Sequence, residues 1–80
     1  MKIKITAFGI AKDILKTKHM EWELNGPKDI ASLKESLFVH YPDFKKLRSL
    51  SFAVGDAYRD DQYQIREAEE IIIIPPVSGG

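Results

Sequence analysis

The sequence predicts a two-layer α+β domain in which a mixed sheet packs on one main helix. Three observations carry that prediction: an alternating segment at the start, an apolar stripe at helical spacing from Ile30, and four consecutive isoleucines near the end.

Ile3, Ile5 and Ala7 point one way while Lys2, Lys4, Thr6 and Phe8 point the other, which is the period of a half-buried strand. Gly9 breaks the pattern, and residues 11–16 have the make-up of one or two helical turns. Met20, Trp22 and Leu24 then alternate with Glu21 and Glu23, giving a second strand. Asn25-Gly26-Pro27 closes it, because Asn and Gly tolerate positive φ and Pro fixes its own.

Asp29 is placed to cap a helix running to about His40. Ile30, Leu33, Leu37 and Tyr41 form its apolar stripe, Phe38 widens it, and Pro42 stops it. Residues 50–54 read as a third strand, Gly55-Asp56 as a hairpin turn and residues 57–59 as a short return. The run Ile71 to Ile74 is apolar on both faces, which suits a central strand parallel to the first. Strand, strand, helix, strand, short strand, strand is the order of the ubiquitin-like β-grasp. Residues 1–80 are expected to form a single domain with a flexible C-terminal tail over 75–80.

The composition narrows the function classes. The chain has 80 residues, 44% of them hydrophobic and 30% charged, an ordinary globular balance. Twelve basic residues meet twelve acidic ones, which leaves no basic footprint for nucleic acid or an anionic membrane. Without cysteine there is neither disulfide nor thiolate zinc site, and the two histidines, His19 and His40, stand apart, so no metal site is expected. The opening Met1-Lys2-Ile3-Lys4-Ile5 is an amphipathic strand, not a signal peptide, and no segment approaches the about 20 apolar residues of a membrane span. A cytoplasmic location is the expectation. No nucleophile elbow surrounds any serine, no glycine-rich phosphate loop is present, and Asp60-Asp61 reads as solvated loop.

The end of the chain is different. Pro75-Pro76-Val77-Ser78-Gly79-Gly80 follows the last strand directly. Two prolines extend the backbone, and Gly79 and Gly80, lacking Cβ, can thread a narrow channel. The Gly80 carboxylate, ionised at neutral pH, is able to attack the α-phosphate of ATP, and the acyl-adenylate is open to a sulfur nucleophile.

Residues 74–80 resemble the C-terminal signature of the molybdopterin synthase small subunits, the MoaD-type sulfur carriers of the ThiS/MoaD family. The likeness extends over the chain: residues 4–14 are similar to the family's first strand and short helix, 29–34 to its main helix start and 52–58 to its third-strand hairpin. Two departures stand out: Gly55 replaces a usual Asn, and residues 66–70 replace a glycine-containing turn, which leaves that turn's geometry open. The resemblance implies that a MoeB-like adenylating enzyme uses ATP and magnesium to activate Gly80 and that a sulfurtransferase supplies the sulfur. It further implies that the thiocarboxylate enters the large subunit of molybdopterin synthase, in a heterotetramer, and there gives sulfur to cyclic pyranopterin monophosphate. This chain binds no cofactor and contributes no catalytic side chain in that scheme; the large subunit holds the active site. For docking, Phe8, Ile72 and Ile74 are expected to form an apolar patch beside the root of the tail, with Pro75, Pro76, Val77 and Ser78 also contacting partners. A thiazole-pathway (ThiS-type) carrier, a ubiquitin-like modifier conjugated through Gly80, and an interaction module with an incidental Gly-Gly are the competing readings.

Overall fold

The computed structural model describes residues 1–47 and 49–76. Strand β1 (Lys2–Ala7) leads into a short helix α1 (Gly9–Leu15), then β2 (His19–Glu23) and the main helix α2 (Ile30–His40). A 3₁₀ helix (Pro42–Lys46), β3 (Ser51–Val54), β4 (Ala57–Arg59) and β5 (Glu70–Ile74) complete the chain order. The five strands make one sheet in the order β2-β1-β5-β3-β4. β1 and β5 run parallel at its centre, with Ile5 opposite Ile71 and Ala7 opposite Ile73, as the apolar isoleucine run predicts.

Strand parity then sorts the side chains. Ile3, Ile5 and Ala7, Ile71 and Ile73, and Phe52 and Val54 are buried toward the helices. Ile30, Leu33 and Leu37 of α2 meet them, with Ala11 and Leu15 of α1 at one end. Asp29 caps α2 as expected: the Ser32 N–H donates to its carboxylate at 2.9 Å. Hydrogen bonds from Ser32 hold that carboxyl below its ordinary range. The loop after β4 is stitched to the same helix end, where Ile30 N–H donates to the Tyr63 carbonyl and Ala31 N–H to that of Asp61. Lys34 and Asp61 form an ion pair at 2.9 Å across this seam.

Three local differences from the sequence expectation have physical causes. β3 begins at Ser51, not Leu50, because its pairing with β5 starts at Ser51 opposite Ile74. The 3₁₀ helix after Pro42 carries no periodic signal, yet it buries Phe44 fully. The turn before β5, whose geometry the sequence leaves open, takes its left-handed residue from Ala68, at φ 64°. Gly55, at φ 62°, makes the β3–β4 turn as anticipated.

Candidate functional site

The face of the sheet turned away from the helices is the candidate site, because it carries the exposed side chains around the root of the C-terminal segment. Register places the residues. Thr6 and Ala53 both pair with Ile72, Ala53 also pairs with Tyr58, and Ser51 pairs with Ile74. Paired residues share a face, so Ile72, Ile74, Ala53 and Tyr58 form one apolar area over β5, β3 and β4. Tyr58 is 69% exposed and dominates it, while the two isoleucines are half-buried.

Phe8 lies one residue beyond β1 and precedes α1 directly. Its backbone stays extended, φ −126° and ψ 158°, so the alternation carries it onto the same open face, 45% exposed, beside the register position of Ile74. The Lys18 ammonium stands 5.3 Å from its ring centre, a cation–π contact. Gly9 follows at φ 57°, and a Cβ there would sit 3.5 Å from Pro75 Cγ. The root of the C-terminal segment therefore rests on the start of α1, with Pro75 and Pro76 half-buried. Val77, Ser78, Gly79 and Gly80 lie outside the described residues.

The other half of the open face is polar. The Thr6 hydroxyl, only 5% exposed, donates to Glu70 at 2.6 Å and lies 3.1 Å from His19 Nδ1. With the hydroxyl proton committed to Glu70, His19 must be the donor in the second contact, which places its proton on Nδ1. Sequence reasoning missed this link across three strands. Thr6 and Glu70 are 64 residues apart, and only the parallel pairing of β1 with β5 brings them together. The site thus offers a docking surface with an apolar half and a polar half, and no nucleophile–base–orienter set. Among the described residues no three His, Asp or Glu side chains converge as metal ligands, and no helix is long and apolar enough to cross a membrane.

An open-faced β-grasp sheet whose central strand leads directly into Pro75 and Pro76 defines the class: a ubiquitin-like protein. The chain belongs to the ThiS family, whose model matches residues 5–80. Among curated proteins it is similar to the molybdopterin synthase sulfur carrier subunit of Arabidopsis thaliana, 24% identical over 81 residues, covering all of this chain and 84% of that one. Among solved structures it is similar to a molybdopterin converting factor subunit 1 from Pyrococcus furiosus, described there as putative. The TM-score is 0.84 at 19% identity, covering 96% of this chain and 99% of that one. A complex of molybdopterin-converting factor subunits 1 and 2 from Helicobacter pylori contains a chain that matches with a TM-score of 0.68 at 22% identity, with full coverage of both. At these identities the solved structures establish the fold.

Proposed function

We propose that this protein is the sulfur carrier subunit of molybdopterin synthase and acts through the Gly80 carboxylate. The observation that carries the reading is that the family match runs through residue 80 and so takes in the whole Pro75 to Gly80 motif. The carrier name of the Arabidopsis thaliana relative points the same way.

In this reading a Gly80 carboxylate oxygen attacks the α-phosphorus of ATP on an adenylating enzyme of MoeB type, and magnesium pyrophosphate leaves. The outer sulfur of a persulfide on a sulfurtransferase attacks the acyl carbon, and AMP leaves. A second thiol then attacks the enzyme's sulfur in the acyl disulfide, which frees the thiocarboxylate and leaves a disulfide behind. The thiocarboxylate is then presented to a large subunit, where sulfur transfer to cyclic pyranopterin monophosphate builds the dithiolene. ATP and magnesium belong to the adenylating enzyme. This chain's own tasks are to hold the root of its end and to dock. Phe8, Ile72, Ile74 and Tyr58 supply the apolar contact, and Pro75 and Pro76 restrict the backbone directly after β5. The Helicobacter pylori complex supports a large-subunit partner, and a heterotetramer in the cytoplasm fits the scheme.

Incubation with the adenylating enzyme, ATP and a sulfurtransferase tests the reading by intact mass. The expected gain equals one sulfur in place of one oxygen, and deletion of Gly80 abolishes it without changing the melting temperature. A conjugate through target lysines without any sulfur-loaded species would establish the modifier instead. Loss of neither sulfur loading nor molybdopterin formation on deleting Gly80 overturns the proposal.

A further inference from the structure

Asn25 is the only asparagine in the chain, and Gly26 follows it directly. The pair lies in the link between β2 and α2, a segment anchored at both ends. At one end the buried Leu24 donates its N–H to the Met1 carbonyl at 2.8 Å. At the other, the Lys28 carbonyl accepts the Ile65 N–H at 2.6 Å, and Asp29 caps α2. Between these anchors Asn25 and Gly26 are both exposed. Among the described residues neither the Gly26 N–H nor the Asn25 side-chain amide has a hydrogen-bond partner. Gly26 engages through its carbonyl alone, which accepts the Lys28 ammonium at 3.1 Å. It stands at φ 86°, and no atom lies within 4 Å of where a Cβ would sit.

An exposed asparagine before glycine has a chemistry of its own, and asparagine is among the thermolabile residues. The backbone nitrogen of the following residue, once deprotonated, attacks the asparagine side-chain carbonyl carbon. A five-membered succinimide closes and ammonia leaves. Water then opens the ring at either carbonyl, giving aspartate or isoaspartate. A fold holds this reaction back by bonding that N–H in a helix or ladder, and a Cβ on the following residue crowds the nitrogen. Neither obstacle is present at Gly26. Gln62 and Gln64, the other side-chain amides, would have to close a less favourable six-membered ring.

We infer that Asn25 is a modification site, deamidating through a succinimide with the Gly26 nitrogen to a mixture of isoaspartate and aspartate. The product adds one negative charge to a chain whose formal charges otherwise cancel, two residues from Glu23. The isoaspartate also routes the main chain through one extra carbon at position 25. The site lies at the end of the sheet where Lys2 pairs with Glu23, whereas Pro75 lies at the opposite end, beyond the pairing of Ala7 with Ile73. It uses no chemistry of Gly80, so its failure leaves the carrier reading untouched.

The test holds the folded full chain in mildly alkaline buffer made with oxygen-18 water and follows intact mass and anion-exchange retention. Each chain is expected to lose one nitrogen, gain one heavy oxygen and move to a more acidic position. Fragmentation places the oxygen at residue 25, and an isoaspartyl methyltransferase labels part of the product. Nitrogen–proton spectra lose the Asn25 side-chain pair while the amides of β1 and β5 stay in place. The folded chain reacts within about tenfold of the rate in urea, because no hydrogen bond has to open first. Asn25→Gln, which leaves Gly26 and the turn as they are, loses the reaction. No heavy oxygen at residue 25, incorporation at Gln62 or Gln64 instead, an undiminished gain in Asn25→Gln, or a folded chain slower than the urea-unfolded one by more than about tenfold each overturn the inference.

Discussion

The Tyr63 hydroxyl donates to the Glu69 carboxylate at 2.7 Å, and the Arg66 N–H donates to the other oxygen of the same carboxylate at 2.9 Å. This clamp shapes the turn that delivers the chain to β5, and the Arg59 guanidinium lies 4.9 Å from the Tyr63 ring centre. Burial acts to raise the Glu69 carboxyl, but the hydrogen bonds from Arg66 and Tyr63 and the charges of Arg66 and Arg59 outweigh it, leaving it below its ordinary 4.5. The bond to Glu69, then burial, push the Tyr63 hydroxyl above its ordinary 10.0.

Both shifts become stability as a function of pH. The Glu69 contribution is present above about pH 4.5 and is lost as pH falls through the depressed value in the folded protein. The Tyr63 contribution is present below pH 10.0 and is lost as pH rises through its elevated folded value. Tyr63→Phe is therefore less stable than the parent near neutral pH, and the gap closes in strongly alkaline solution. Melting temperatures across that range check this, and a constant gap contradicts it.

Ala68 sits at φ 64°, a conformation that costs an L-residue about 1–2 kcal/mol. Glycine removes that cost but gives the unfolded chain more freedom, worth about 0.4–1 kcal/mol. Ala68→Gly should stabilise the domain by about 0.5–1 kcal/mol and raise its melting temperature by about 4 °C. A fall in melting temperature would contradict the reading of the turn.

Ile73 and Ile74 are neighbours with opposite duties. Ile73 is fully buried against the helices, so Ile73→Ala should cost about 2–5 kcal/mol. That is a large part of the about 4–12 kcal/mol available to a domain of this size. Ile74, half-buried on the open face, should cost about 1 kcal/mol as alanine. Urea unfolding of the two variants separates them, and equal losses contradict the assignment of faces.

On the proposed docking surface, Phe8→Ala and Tyr58→Ala should each weaken binding to the large subunit by about tenfold or more, as buried aromatic anchors do. Neither change should lower the melting temperature by more than about a few degrees, because both side chains are exposed in the free protein. Titration calorimetry against the large subunit measures the effect, and unchanged affinity in both variants removes the patch from the interface.

Much of the fold was legible because its signals are local. The alternation of Ile3, Ile5 and Ala7, the Asp29 cap, the Ile30, Leu33 and Leu37 stripe and the Gly55 turn each lie within a few residues of sequence. The open face was legible in part, since parity alone separates Ile72 and Ile74 from Ile71 and Ile73. What the sequence hid is non-local or too short to repeat. Thr6 reads as an exposed strand residue until β5 brings Glu70 against it. Phe44 lies in a helix too short to show a period.

β5 follows every other strand in sequence yet lies between β1 and β3 in space. Its pairing with β1 closes a loop of most of the chain, a slow kind of contact to form. Until it docks, four adjacent isoleucines are available for misassociation. The same event removes that hazard, seats Pro75 beside Gly9 and assembles the apolar face from three strands. A partner that reads the face and the root together is therefore inspecting the finished product, and an incompletely folded chain has nothing to show it.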